Sequence, residues 1–342
     1  MSTPLDKTSG VLGLKQIRVA GCLGYVLWDK MTAQAVAIDP AAEAQGEFRE
    51  VIQSSGLKLS AIIETHNRPD LLFCSQSLKR ETGSKILKGR ATLSSDADQL
   101  VSTQERVRFG SLELEVLETP GHTPDSICLT FQDPQTQERL AFTGETLMIG
   151  STGRTDLASA DSSLLFDSLR KIESMIATET LILPGHDKND LLFSSLRMEQ
   201  RLNPQFSEKD RQKFIDQKRE ESLASRGVLR KDVQRVPATT VQKYALKLDA
   251  RAAGELFVDV READEFKVGH IAGVENIPIS ELALQWNRLR NAQKIYLSCQ
   301  SGRRSEMAAR TLDRLGMAGV VNVTGGLQAW LKAGLTVEKP RS

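Results

Sequence analysis

Along the first part of the chain, apolar and polar positions alternate as they do in strands. The stretch IRVAGCLGYVLWD, from Ile17 to Asp29, predicts two strands around a turn, and AVAIDP a third, followed by a helix-like stretch ending near Gly56. LSAIIETH reads as a buried strand that delivers His66 at its C-terminal end. RVRFGSLELEVLETPGH and SICLTFQD read as β-rich hairpins, and RLAFTGETL as a strand leading into a glycine-containing loop. A helix, SSLLFDSLRKIESM, and a last strand, TLILPGHD, complete a strand, helix, strand series. From about Leu191 to Arg235 the chain turns charged and helical and then polar up to Pro237, which predicts peripheral helices and a linker. At Thr239 a fresh alternation begins: VQKYALKLDA, LFVDVRE, KIYLSCQSGRRS, EMAARTLDRLGM, VVNVTGG and a closing helix around Trp330. That order predicts a compact parallel α/β unit.

A chain of 342 residues exceeds what one hydrophobic core usually organises, so two domains are expected, over 1–235 and 236–342. With 45 basic and 44 acidic residues and no long basic run, nucleic acid is not expected as a main partner. Met1 to Gly10 is polar, and Lys15 and Arg18 break the apolar run behind it, so neither a secretory signal nor a membrane span is expected. Cys22, Cys74, Cys128 and Cys299 show no paired spacing and no CxxC. This argues against a disulfide framework and a structural zinc site, and a reducing cytoplasm is the expected location.

The apolar run KIYLS ends in Cys299, and Gln300, Ser301, Gly302, Arg303 and Arg304 lead from it to Ser305, which opens a helix. A cysteine between a strand end and a helix N-terminus meets converging backbone N–H groups and the positive end of the helix dipole, which favours its thiolate. Gly302 permits the tight loop, and Arg303 and Arg304 add positive charge suited to an anionic sulfur donor or acceptor. The bland alternative is a buried structural cysteine, the usual state of that residue type. A phosphatase loop of the Cys-x5-Arg kind would need its arginine one residue beyond Arg304. With FVDVREADEFKVGHIAGVENIP upstream and VVNVTGGLQAW downstream, roughly the last hundred residues resemble the rhodanese family. The resemblance implies a sulfurtransferase that carries sulfane sulfur on Cys299, with Arg303 and Arg304 in the catalytic loop and Gln300, Ser301 and Gly302 against the substrate. Asp259, Glu265 and His270 are expected to serve loop hydrogen bonds and caps.

THNRPD, PGHTPDS, FTGETL and LPGHD stand at predicted strand ends, and their order and spacing resemble the metallo-β-lactamase fold over roughly residues 12 to 205. That resemblance implies an αββα sandwich with metal ligands gathered at the strand ends. In the family's first motif, His-x-His-x-Asp-His, the corresponding residues here are His66, Arg68, Asp70 and Leu71, so two histidines are replaced. A two-zinc thioester hydrolase of the glyoxalase II type needs most of those ligands and is the weakest reading. His66, His122 and Glu145 survive: two imidazoles and one carboxylate, the set of a facial triad that holds Fe(II) and leaves positions open for substrate and O2. The branch with such a triad is the persulfide dioxygenases, which oxidise glutathione persulfide to sulfite. STGRTDL resembles their loop, which implies that Arg154 faces the substrate. Glu145 stands where that branch normally has aspartate, Thr152 where it often has cysteine, and Lys188 where it often has tyrosine. Cys22, Cys74 and Cys128 are expected in the core, and His186 is expected to hold a loop.

Together the two halves resemble a persulfide dioxygenase joined to a rhodanese. The resemblance implies glutathione persulfide, thiosulfate and sulfite as small-molecule partners in sulfide and persulfide metabolism, and allows a homo-oligomer. The alternative keeps the rhodanese activity alone and makes the first domain a metal-free scaffold.

Overall fold

The computed structural model describes residues 10–67, 73–224 and 236–338. The chain divides into two compact units, residues 1–188 with 193–230, and 189–192 with 231–342. The expected boundary after residue 235 adjoins residues 225–235, and the motif positions Arg68, Asp70 and Leu71 belong to 68–72; both stretches lie outside the described residues.

In the first unit, Ala20 and Gly21 turn with φ of 48° and 87° and close the hairpin of β1 (Leu12–Val19) and β2 (Cys22–Asp29). Next to them β3 (Gln34–Ile38), β4 (Lys58–Glu64), β5 (Lys85–Gly89) and β6 (Gln99–Val101) complete a six-stranded sheet in sequence order. The crossovers α1 (Gln45–Ser54) and α2 (Ser75–Thr82) bury Phe48, Ile52 and Leu78 against Val26, Ala37, Ile62 and Ile86. The second sheet contains β7 (Arg106–Phe109), β8 (Leu112–Glu118), β9 (Ile127–Gln132) and β10 (Arg139–Gly144). A small hairpin, β11 (Leu147–Met148) with β12 (Ser151–Thr152), follows, and β13 (Leu181–Pro184) and β14 (Ser194–Ser195) complete the order β14-β13-β10-β9-β8-β7. Tyr25 of one sheet meets Phe142 of the other edge-on at 5.0 Å.

Helix α3 (Ser162–Met175) starts where Asp161 accepts from the Ser163 and Leu164 amides. With α4 (Leu196–Leu202), α5 (Pro204–Ser207) and α6 (Arg211–Ala224) it covers the second sheet through Leu165, Leu169, Ile172, Phe206 and Phe214. The layers are helices, sheet, sheet, helices, the αββα sandwich implied by the motifs. The charged stretch after Leu191 supplies Phe206 and Phe214 to the core, so its helices are an integral layer and not peripheral. Two isolated aromatics among charges do not produce a periodic apolar face, which is why the sequence hides this.

In the second unit, β15 (Ala238–Thr239), α7 (Val241–Asp249), β16 (Glu255–Asp259), α8 (Ala263–Val268) and β17 (Glu275–Asn276) are followed by α9 (Trp286–Leu289) and β18 (Lys294–Ser298). Then come α10 (Arg303–Arg314), β19 (Val320–Val323) and α11 (Gly326–Lys332). The sheet is parallel throughout, in the order β15-β19-β18-β16-β17. β18 lies in its centre, which explains why KIYLS is apolar on both faces. Phe257 and Tyr296 stack at 4.8 Å beneath Tyr244 and Trp330 of the covering helices. The central strand ends one residue before Cys299, at the carboxyl edge where parallel sheets of this kind bind ligands.

Candidate active sites

In the first unit the sites converge at strand ends. His66 follows β4, His122 lies between β8 and β9, and Glu145 follows β10, where Gly144 takes φ of 49° and an added methyl would strike the Thr65 hydroxyl. One ligand atom from each of His66, His122 and Glu145 lies within 4.8 Å of the others, and all three residues are buried. The Glu145 Oε1 atom is 3.7 Å from His66 Nε2, and its Oε2 atom is 3.3 Å from His122 Nε2. Two donors about 2.1 Å from one ion and at right angles stand about 3 Å apart, so the three groups fit one cation with small adjustments. With its side chain Glu145 reaches both imidazoles, one through each carboxylate oxygen.

The rest of the site fixes how the imidazoles present themselves. His122 Nδ1 is 2.9 Å from the Arg154 carbonyl, which only accepts, so the proton sits on Nδ1 and the Nε2 lone pair faces Glu145. His66 Nδ1 is 2.9 Å from the Thr65 hydroxyl, which itself donates to Asp39 Oδ2 at 2.6 Å. The hydroxyl therefore accepts from Nδ1, and His66 also turns a lone pair toward Glu145. Asp39 is held in place by the Thr65 amide at 2.7 Å, and burial pushes its carboxyl up to about 6. Asp39 lies outside the four strand-end motifs, and Thr65 opens THNRPD without being one of its ligand positions. Asp39 sits at φ of 46°, which Asp tolerates better than most residues, and the AIDP strand end is the one signal that pointed to it.

The loop carrying Arg154 is anchored from α5 and α6. Thr152 donates to Gln205 Oε1 through its amide at 2.9 Å and its hydroxyl at 2.7 Å, while Lys218 Nζ lies 3.3 Å from that hydroxyl and 3.0 Å from Glu221. Burial pulls the Lys218 amine below its usual range. Arg154 grips Asp156 with Nε and Nη2 at 2.6 and 2.8 Å, which holds the Asp156 carboxyl below the ordinary range. Gly153 packs between Glu145 and His122: an added methyl would come within 2.4 Å of the Glu145 carbonyl oxygen and 2.8 Å of the His122 β-carbon. Gly153→Ala is therefore expected to tilt His122 and weaken metal binding by about tenfold, as loss of orienting contacts does, which a competitive chelator titration measures.

In the second unit, Cys299 is buried, and Gly302, at φ of 92°, turns its amide back to donate to Sγ at 3.1 Å. A methyl on Gly302 would strike the Gly325 amide at 2.9 Å, so glycine is required there. The Ser305 hydroxyl stands 3.4 Å from Sγ and 2.7 Å from Asn322 Oδ1. Arg304 makes a bidentate pair with Glu265 at 2.5 and 2.7 Å, which raises the guanidinium's pKa and lowers the carboxyl's. Arg303 is exposed and makes no ion pair among the described residues, so it and the α10 N-terminus supply the open positive potential. Gln300 and Ser301 lie on the same loop. Asn322, seventeen residues beyond Ser305, was missed because only the β18–β19 pairing brings it there.

The expected bland roles also have partners. Asp259 pairs with buried Arg261 at 2.8 Å, Glu265 accepts from the Glu262 amide, and His270 Nδ1 lies 3.1 Å from the Phe266 carbonyl. Burial pushes the Cys74 thiol up to about 11 and the Cys128 thiol up to about 12, as core residues require. His186 is bridged to Cys22, and the flanking Gly185 carbonyl and Asp187 amide bond to Leu23 and Gly21, so this loop is tied to the β1–β2 turn.

Residues 65–186 match the family model of the metallo-beta-lactamase superfamily, and residues 241–333 that of the rhodanese-like domain. The mitochondrial persulfide dioxygenase ETHE1 of Mus musculus is 30% identical over 188 residues, 54% of this chain and 70% of that protein. The chain belongs to the persulfide dioxygenase family. It joins a metallo-beta-lactamase-fold domain of that family to a rhodanese-like domain. The crystal structure of ETHE1 from Myxococcus xanthus is similar at 32% identity and a TM-score of 0.57, over 60% of this chain and 90% of that one. The second domain is 39% identical over 95 residues to the putative sulfur carrier protein YrkF of Bacillus subtilis, covering 28% of this chain and 51% of that protein. Among the described residues no helix is long and apolar enough to cross a membrane.

Proposed function

We propose that the chain is a bifunctional enzyme of sulfide and persulfide metabolism. Its first domain oxidises a thiol persulfide, glutathione persulfide, to sulfite with O2 and Fe(II). Its second moves sulfane sulfur to or from sulfite, thiosulfate or a thiol on Cys299. The observation that carries the first half is the buried trio His66, His122 and Glu145, with both imidazoles held as Nδ1–H tautomers that aim acceptor atoms at the carboxylate. Three converging acceptors suit a cation, and two imidazoles with one carboxylate suit Fe(II). Bound there, iron would supply the activation of O2. The protein's own part is orientation: Asp39 and Thr65 fix His66, the Arg154 carbonyl fixes His122, and Asp156 sets the plane of the Arg154 guanidinium beside the persulfide.

In the second domain the Cys299 thiolate attacks the outer sulfur of a donor. A new S–S bond forms on Sγ, the donor's own bond to that sulfur breaks, and the leaving group keeps the electron pair. The Gly302 amide, the α10 N-terminus and Arg303 then stabilise the negative terminal sulfur of the persulfide. The test is O2 uptake and sulfite formation by full-length protein reconstituted with iron without oxygen and supplied with glutathione persulfide. Uptake matched by sulfite supports the dioxygenase role; no uptake with iron bound rejects it.

A further inference from the structure

A cleft beside the Cys299 loop bears on which sulfur compounds that loop accepts. It is a cavity of about 380 Å³ whose wall includes Gln300 of the loop and the side chains of Val268, Leu327, Leu331 and Val337. The wall is coupled to the cysteine: the Leu327 amide donates to the Cys299 carbonyl at 2.8 Å, and the Gln328 amide to the Gln300 carbonyl at 3.0 Å. Val268 is 77% exposed and Leu331 49% exposed, so apolar surface stands open at the rim. A concave apolar patch next to a reactive loop is the usual form of a small-ligand subsite.

The charges in the cleft are already satisfied. Arg261 is buried, engages Asp259 through Nε and Nη2, and donates to the Glu265 and Gly269 carbonyls at 3.2 and 2.8 Å. Glu265 is taken up by Arg304. An ionic group placed among the apolar side chains would lose its hydration without gaining a partner, whereas an uncharged hydrocarbon body would lose only unfavourable contact with water. The positive end of the site is on the loop itself, at Arg303 and the start of α10.

We propose that this cleft is a subsite for the uncharged tail of the sulfur donor: the compound sets an anionic sulfur at Cys299 and an alkyl or aryl body among Val268, Leu327, Leu331 and Val337. This rests on the sulfurtransferase reading of Cys299. Alkyl thiosulfonates, R–SO2–S⁻, have this form. The thiolate attacks the outer sulfur, Sγ–S forms, the S–SO2R bond breaks, and the sulfinate RSO2⁻ leaves with the pair. Cyanide then removes the outer sulfur as thiocyanate and returns the thiolate, so one donor and one cyanide give one sulfinate and one thiocyanate.

The experiment compares methanethiosulfonate with hexanethiosulfonate on the full chain, with cyanide as acceptor and thiocyanate as readout. Burial of part of the longer tail predicts a kcat/KM at least about tenfold higher for the hexyl donor. Leu331→Asp, at a half-exposed position, is expected to collapse that ratio toward one, with circular dichroism confirming that the variant is folded. Equal kcat/KM for the two donors, or a ratio unchanged in Leu331→Asp, would overturn the subsite and leave the sulfurtransferase reading standing. Absence of Cys299-dependent thiocyanate from both donors would overturn both.

Discussion

Cys299→Ser is expected to lose at least about a thousandfold in thiosulfate-to-cyanide sulfur transfer, because the step needs a sulfur nucleophile that can form and release an S–S bond. The fold should survive. Serine is smaller than cysteine, its hydroxyl can accept the Gly302 amide that now reaches Sγ, and the Leu327 amide bonds to the backbone carbonyl of residue 299. The other thiols supply the control. Cys74 and Cys128 are buried, with their thiols pushed up to about 11 and about 12, so serine at either position should leave transfer within about twofold once stability is matched. Thiocyanate assays on the three variants, with thermal unfolding alongside, check this. Retained transfer in Cys299→Ser would reject the assignment.

His122→Ala and Glu145→Gln are each expected to weaken iron binding at least about a hundredfold and to abolish persulfide-dependent O2 uptake, since each removes or neutralises one of three ligands. The two variants fail for different reasons. Glu145→Gln keeps the shape of the side chain but removes the negative charge, whereas His122→Ala also leaves the Arg154 carbonyl without the Nδ1–H it now accepts. Iron content after anaerobic reconstitution and gel filtration measures both. Thiocyanate formation in the same preparations reports that the second domain is folded. Full iron occupancy in both variants would show that these residues do not hold it.

The elements that carry the chemistry were legible because they depend on short-range patterns. KIYLS followed by Gly302 and a helical period locates the Cys299 loop, and THNRPD, PGHT and FTGET mark three strand ends that the fold does bring together. What was hidden depends on pairing across sequence distance. Asp39 reaches His66 through Thr65, twenty-six residues away, only because β3 and β4 are adjacent and parallel. Arg304 looks like a cation available to an anionic substrate until α8 places Glu265 against it.

The central claim is that His66, His122 and Glu145 form a working iron site in the same chain as a sulfur-carrying Cys299. Anomalous diffraction at the iron edge from crystals grown and reconstituted without oxygen tests it most directly. The prediction is a single peak bounded by His66 Nε2, His122 Nε2 and the Glu145 carboxylate, at about 2.0–2.2 Å from each. No peak there in iron-loaded crystals would contradict the claim and leave the first domain a metal-free scaffold beside the sulfurtransferase.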